Sequence, residues 1–133
     1  MGISTRQYQD IMNEYDAARR RNYMAEQERK ERIYALIPEI RRIDEEIAHV
    51  SVAKAKEMLL KKISNADAKK SLQSTIYDLS MEKVNLLAIH DYPADYLDPI
   101  YDCPECKDTG YIGDKKCHCF QRKIREILYR QSN

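Results

Sequence analysis

Cysteine is missing from the first 102 residues of this chain, and all four cysteines fall between Tyr101 and Phe120. Any thiol chemistry is therefore confined to one short stretch. Glycine is nearly as scarce, present only as Gly2, Gly110 and Gly113. A phosphate-binding G-x4-G-K-[ST] loop and a dinucleotide-binding G-x-G-x-x-G turn need glycines close together, so both are excluded. No apolar run approaches the ~20 residues that a membrane-spanning helix requires. An excess of one charge is lacking too: 23 Lys/Arg face 22 Asp/Glu, for a net +1, which gives no strong electrostatic ground for nucleic-acid binding. No Ser/His/Asp or paired-carboxylate arrangement stands out from the charged helix faces. There is no internal repeat, no low-complexity tract and no signal-peptide pattern. Together these absences predict a soluble, cytoplasmic chain that is not itself an enzyme.

What is present is mostly helix. From Ser4 to Leu36 there is neither proline nor glycine. Ser4 and Gln7 have the spacing of a capping box, in which each side chain satisfies a backbone donor of the other at a helix start. Tyr8, Ile11, Met12 and Tyr15 then fall on one helical face. The following RRRNYMAEQERKER run, from Arg19 to Arg32, has few apolar anchors and reads as a solvated helix face. Ile37 precedes a proline and is biased out of the helical region, while Pro38 suits the first turn of a new helix.

A second helix carries Ile37, Ile40, Ile43, Ile47 and Val50, continuing to Met58, Leu59 and Ile63. That seam is narrow enough for coiled-coil-like packing. Ser64 with Asp67 marks the start of a third helix, whose apolar set is Leu72, Ile76, Leu79, Leu86 and Leu87, flanked by Tyr77 and Val84. A short turn between two long helices makes them antiparallel neighbours. The expected fold class is mainly α: an arm over residues 1–89, with helices at 4–36, 38–63 and 65–89 and the first packed on the hairpin of the other two. Residues 90–133 form the second part: a connector, a small knob at 101–120, and a final helix. The connector DYPADYLDPIYD contains two prolines and cannot be helical throughout. Its Tyr92, Tyr96, Leu97, Ile100 and Tyr101 supply too much apolar area for a floppy linker. In the final helix Phe120, Ile124, Ile127 and Leu128 fall on one side, Arg122, Lys123 and Arg125 on the other. The chain reaches Gln131-Ser132-Asn133 without a convincing end to a domain, as expected for part of a longer protein.

In the knob, Cys103 and Cys106 form C-x2-C, and Cys117 and Cys119 form C-x-C. Four thiols in so short a segment point to one tetrahedral Zn2+ held by four thiolates, a closed site with no position left for water. Two disulfides do not fit a long charged arm. A redox use of C-x2-C lacks the βαβ setting and leaves the second pair idle. If Cys117 and Cys119 lie on an extended strand, both point to one face and His118 points away, which makes His118 the alternative ligand rather than the expected one. His90, eleven residues before Cys103, is a poor match to metal-ligand spacing. Lys107, Lys115, Lys116, Arg122 and Lys123 are placed to offset the −2 formal charge of a four-thiolate zinc site. Thr109-Gly110 and Gly113-Asp114 read as turns around a short β piece at Tyr111-Ile112. So small a knob buries little apolar surface, so metal binding supplies much of its folding free energy.

The run DYPADYLDPIYDCPECKDTGYIGDKKCHCFQRKIREILYRQSN resembles the segment that precedes the ATPase domain in bacterial replicative helicase loaders of the DnaC/DnaI type. There a Tyr-Pro-x-x-Tyr-Leu element leads into C-P-x-C-x-D-T-G-Y, then C-x-C-F and a helix ending in Ser-Asn. The likeness covers residues 90–133 closely and the preceding helices in character only. It implies a module that grips a DnaB-type replicative helicase, with metal ligands at Cys103, Cys106, Cys117 and Cys119. It further implies an AAA+ domain, outside these residues, that binds ATP and single-stranded DNA. On this reading the N-terminal helix face, with Tyr8, Ile11, Met12, Tyr15 and Arg19, is the expected helicase contact. The alternatives are a zinc-ribbon nucleic-acid binder, with Arg122, Lys123, Arg125 and Arg130 on phosphates, and a structural spacer.

Overall fold

A computed structural model of the chain describes residues 2–60 and 65–132. The chain is mainly helical. In chain order the elements are α1 (Thr5–Leu36), α2 (Pro38–Leu59), α3 (Asn65–Ile89), β1 (Tyr111–Ile112), β2 (Lys115–Lys116) and α4 (His118–Gln131). No helix among the described residues is long and apolar enough to cross a membrane. The expected Ser64 cap and the Ile63 end of the seam lie outside the described residues.

Helix boundaries follow local chemistry. Ser4 N–H donates to Gln7 Oε1 at 2.8 Å and Gln7 N–H donates to Ser4 Oγ at 3.0 Å, so the capping box opens α1. Between α1 and α2 only Ile37 leaves the helical region (φ −128°, ψ 79°), as its proline neighbour demands, and Pro38 begins α2. At the end of α3, Asp91 takes φ 65°. Asp91 N–H then donates to Ala88 O at 3.0 Å and Tyr92 N–H to Leu87 O at 2.8 Å. This is a Schellman ending with aspartate in the usual glycine position.

The chain packs as two compact units: residues Met1–Glu28 with Asp98–Asn133, and residues Arg29–Leu97. The contiguous unit contains the α2–α3 hairpin. Its core is Ile33, Ile37, Ile40 and Leu87, with Tyr34, Leu86, Tyr92, Tyr96 and Leu97 packed against it. The connector is thus ordered, as its apolar content requires; the Tyr92 and Tyr96 rings meet at a tilt of 57° with centroids 4.7 Å apart. Arg29 lies 5.0 Å over the Tyr96 ring and Arg32 donates to the Tyr96 hydroxyl at 2.8 Å. Lys83 Nζ reaches Asp44 Oδ1 at 2.5 Å, and the Tyr34 hydroxyl donates to the other oxygen of Asp44. One seam residue, Leu59, and Tyr77 at the flank of the α3 set are exposed. Away from the core the contact between α2 and α3 covers a single strip of each helix.

The other unit corrects the expected placement of the first helix. The N-terminal part of α1 does not spend its apolar face on the hairpin. Ile11 and Tyr15 are buried in a core with Cys103, Cys106, Cys117, Cys119, Phe120, Ile124 and Ile127, and Ile3, Tyr8, Met12, Tyr111 and Leu128 pack around it. The boundary expected near residue 89 therefore does not separate the compact units, since one of them joins residues far apart in sequence. Within this unit β1 and β2 form a two-residue hairpin, Tyr111 opposite Lys116 and Ile112 opposite Lys115. Gly113, at φ 65°, supplies the positive angle that the II′ turn needs at its first central residue.

Candidate metal centre

The cysteine segment is shaped by its turns. Pro104 and the Lys107 N–H bond to Cys103 O, 2.9 Å, fold the first pair so that both thiols face inward. The second pair departs from the expected strand. Cys117 is extended (φ −68°, ψ 156°) but is the N-cap of α4, and Cys119 already lies in the first turn. Phe120 N–H donates to Cys117 O at 2.9 Å, closing that turn. A helix start serves the same end as a strand here, and its positive pole favours thiolates.

All four sulfurs are buried, and they lie within 4.8 Å of one another. Cys103 Sγ and Cys117 Sγ stand 3.8 Å apart, and Cys106 Sγ and Cys119 Sγ 3.6 Å apart. A disulfide needs about 2.05 Å, so neither pair is bonded. Four sulfurs at about 2.3 Å from one ion at tetrahedral angles would stand roughly 3.8 Å apart. The cluster can hold one metal ion in a closed site.

His118 takes a different place. It is exposed, with Nδ1 3.2 Å from Glu105 Oε2 and 3.5 Å from Cys117 Sγ. Glu105, Cys117 and His118 are close enough to one another to form a triad, but two of its members face solvent. The four buried sulfurs make a four-ligand group without His118. His90 is not in either group; it follows the end of α3, and its Nδ1 lies 2.9 Å from Leu86 O in the last turn of that helix.

The surroundings of the sulfurs explain several neighbouring residues. Gly110 N–H points at Cys106 Sγ at 3.4 Å. Burial raises the Cys106 pKa, but this N–H and the neighbouring thiols outweigh it and bring the group down to about 7. Cys119 is pushed up to about 12, chiefly by burial, against a hydrogen bond from Tyr15. The Tyr15 hydroxyl lies 2.9 Å from Cys119 Sγ. Gly110 has φ 87°, and a Cβ there would lie 2.8 Å from Tyr15 Cε2 and 3.0 Å from Phe120 Cδ2, so both backbone angle and space require glycine.

Asp108 is the residue that sequence reasoning left without a role. It is buried, and its carboxylate accepts Cys103 N–H at 2.8 Å, Asp102 N–H at 3.0 Å and Asn22 Nδ2 at 3.0 Å. Arg19 bonds its backbone carbonyl and also pairs with Asp16. Arg21 reaches Asp102 at 2.7 Å. An acid two places after Cys106, beside thiolates that already carry negative charge, was the available signal: it needs a structural reason to be there.

The residues expected to meet a helicase divide sharply. Ile11 and Tyr15 are consumed by the core and present no surface, which corrects their assignment as contacts. Tyr8 and Met12 are half-buried against that core, and the Tyr8 hydroxyl bonds the Tyr111 hydroxyl at 2.9 Å. Arg19 remains partly exposed while holding the Asp108 loop. Among the basic residues of α4, Lys123 lies 5.1 Å over the Tyr15 ring and 3.6 Å from Glu14, so it is engaged within the fold. Arg130 approaches the same glutamate at 3.9 Å, and Arg122 lies 3.8 Å from Glu126. Arg125 is exposed. No protein-family model, curated protein or solved structure matches the chain.

Proposed function

We propose that this chain is a protein-interaction module, the helicase-binding N-terminal part of a bacterial replicative helicase loader, and that its four-thiol site holds Zn2+. One observation carries the reading. The C-P-x-C-x-D-T-G-Y and C-x-C-F wording that resembles the loader family is spent on one folded unit, and its unusual letters each have a physical task there. Asp108 pins the Cys103 backbone, Gly110 admits Tyr15 and Phe120, and Phe120 fills the core. Zinc is the metal favoured by four thiolates at tetrahedral spacing. A closed site leaves no position for a substrate, which favours a structural metal and a binding role over catalysis.

Buried Ile11 and Tyr15 move the expected helicase contact to exposed surface, where Tyr23 and Met24 remain available on α1. The ATPase and single-stranded DNA activities implied by the resemblance belong to residues outside this chain. Native mass spectrometry of the chain mixed with the DnaB-type hexameric helicase of the same organism tests the proposal. A complex that survives buffer exchange is the expected outcome. Absence of any complex, with the metal site loaded, overturns it.

A further inference from the structure

A closed four-sulfur site has no vacant position, so an ion can enter or leave it only as other ligands replace its sulfurs. Two approaches to the sulfurs stand out among the described residues. One is a cavity of about 90 Å³ that reaches Cys103 and Cys119 beside Asp102, Asp108, Arg122 and Lys123. Its carboxylates are already engaged. Asp108 accepts the Cys103 and Asp102 N–H groups and Asn22 Nδ2, and Asp102 is shared by Arg21 and Asn22. This route offers a passing ion no free carboxylate and sets two cationic side chains beside it.

The other approach is through Cys117. Glu105, inside the C-P-E-C turn, and His118, the first residue of α4, are both exposed, and their side chains meet over that sulfur. Glu105 Oε2 lies 3.2 Å from His118 Nδ1, which lies 3.5 Å from Cys117 Sγ, and the three atoms are all within 4.8 Å of one another. For one tetrahedral Zn2+ with its oxygen and nitrogen ligands at about 2.1 Å and its sulfur at about 2.3 Å, those two separations would be roughly 3.4 and 3.6 Å. The triad therefore has ligand spacing as it stands. An exposed ion pair contributes little to stability, so holding the fold is a weak reason for this arrangement. Cys117 belongs to both groups, which makes it the one sulfur shared by the buried set and the surface set.

We propose that Glu105, His118 and Cys117 form an outer three-ligand metal site through which the ion of the four-sulfur centre enters and leaves. Three protein ligands leave a fourth position open to water or to a small chelating molecule. On entry the Glu105 carboxylate, the neutral His118 imidazole and the Cys117 sulfur hold the ion at the surface. Cys103, Cys106 and Cys119 then displace Glu105, His118 and the outside ligand, each thiol giving its proton to solvent. On departure the same exchanges run in reverse, and the thiols regain their protons. Cys117 remains bound throughout. The inference rests on the reading that the four thiols hold a metal ion and is independent of the helicase reading.

Transfer of Zn2+ from the loaded whole chain to an excess of chromophoric chelator, followed by stopped flow, is the test. For the wild type the release rate should rise in proportion to chelator concentration, because the chelator occupies the open position. Glu105→Gln and, separately, His118→Ala should each slow release about tenfold with helix content unchanged, since each removes one ligand of the outer site. Equilibrium affinity should stay within about twofold, because a route alters rates and not end states; a supporting or direct ligand of the buried site would instead cost about 10–100-fold in affinity. Unchanged release rates in both variants overturn the proposal, as does a wild-type rate independent of chelator concentration. A loss of affinity with faster release also overturns it, by making these residues part of the buried site. Elemental analysis of the starting protein separates these outcomes from failure of the metal reading itself, since a chain that binds no metal overturns both.

Discussion

Tyr15 joins α1 to the metal site through one atom. Its hydroxyl faces Cys119 Sγ at 2.9 Å, and burial together with that sulfur holds its proton well above the ordinary phenol range. At neutral pH it is therefore a donor, and a metal-bound thiolate is an acceptor. Tyr15→Phe keeps the ring packed against Gly110 and Phe120 but removes the donor. The fold should persist while metal affinity falls about tenfold, read by competition with a chromophoric chelator. An unchanged affinity would reduce Tyr15 to a packing residue. In the sequence Tyr15 was legible as apolar and on the Ile11 face, but not as a neighbour of sulfur. That contact spans 104 residues, and helical period reports only which residues share a face.

At the scale of elements, local chemistry was read well where a short motif decides it. The Ser4–Gln7 box, the break at Ile37-Pro38 and the Gly113 turn depend on neighbours alone, and they stand as the residue types require. The C-x-C pair is not the strand that its alternation suggests: Cys117 is extended, and the next residue already enters α4. Both conformations bring the sulfurs together, so metal-ligand spacing does not discriminate between them. The α3 terminus offers a prediction of its own. Asp91 holds a left-handed backbone angle at the position where glycine has no steric cost, so Asp91→Gly should stabilise the hairpin unit by about 0.5–1 kcal/mol. A higher urea midpoint at unchanged slope is the expected result. A lower midpoint would mean that the Asp91 carboxylate makes a favourable interaction at the helix end.

For the whole molecule, mainly helical architecture followed from long runs without proline or glycine and from seams at helical spacing. The grouping of those helices did not. Both candidate partners for the Tyr8–Tyr15 face, the hairpin and the cysteine segment, are apolar, and composition has no means of choosing between them. The choice matters for stability, because four of the nine buried core residues of the discontinuous unit are cysteines. In zinc-finger peptides a structural metal contributes on the order of 10–16 kcal/mol. Chelation, or Cys106→Ser, should unfold residues 101–120 and release the N-terminal part of α1 from its core, while the α2–α3 hairpin keeps its helix. Elemental analysis should give about one Zn per chain before treatment. Two-dimensional NMR would then lose the dispersed signals of Gly110 and Phe120 but retain those of Ile43 and Leu87. Collapse of both sets together would show that the units do not fold separately.

The distance in sequence between Tyr15 and Cys119 also sets a schedule. At about 5–20 residues per second, a ribosome adds those 104 residues in roughly 5–20 seconds. The contiguous unit, Arg29–Leu97, is complete before the first cysteine has been added. The Ile11–Tyr15 face is thus without its own core during much of synthesis. It is in that interval, more than in the finished fold, that a chaperone or a neighbouring nascent chain has access to it.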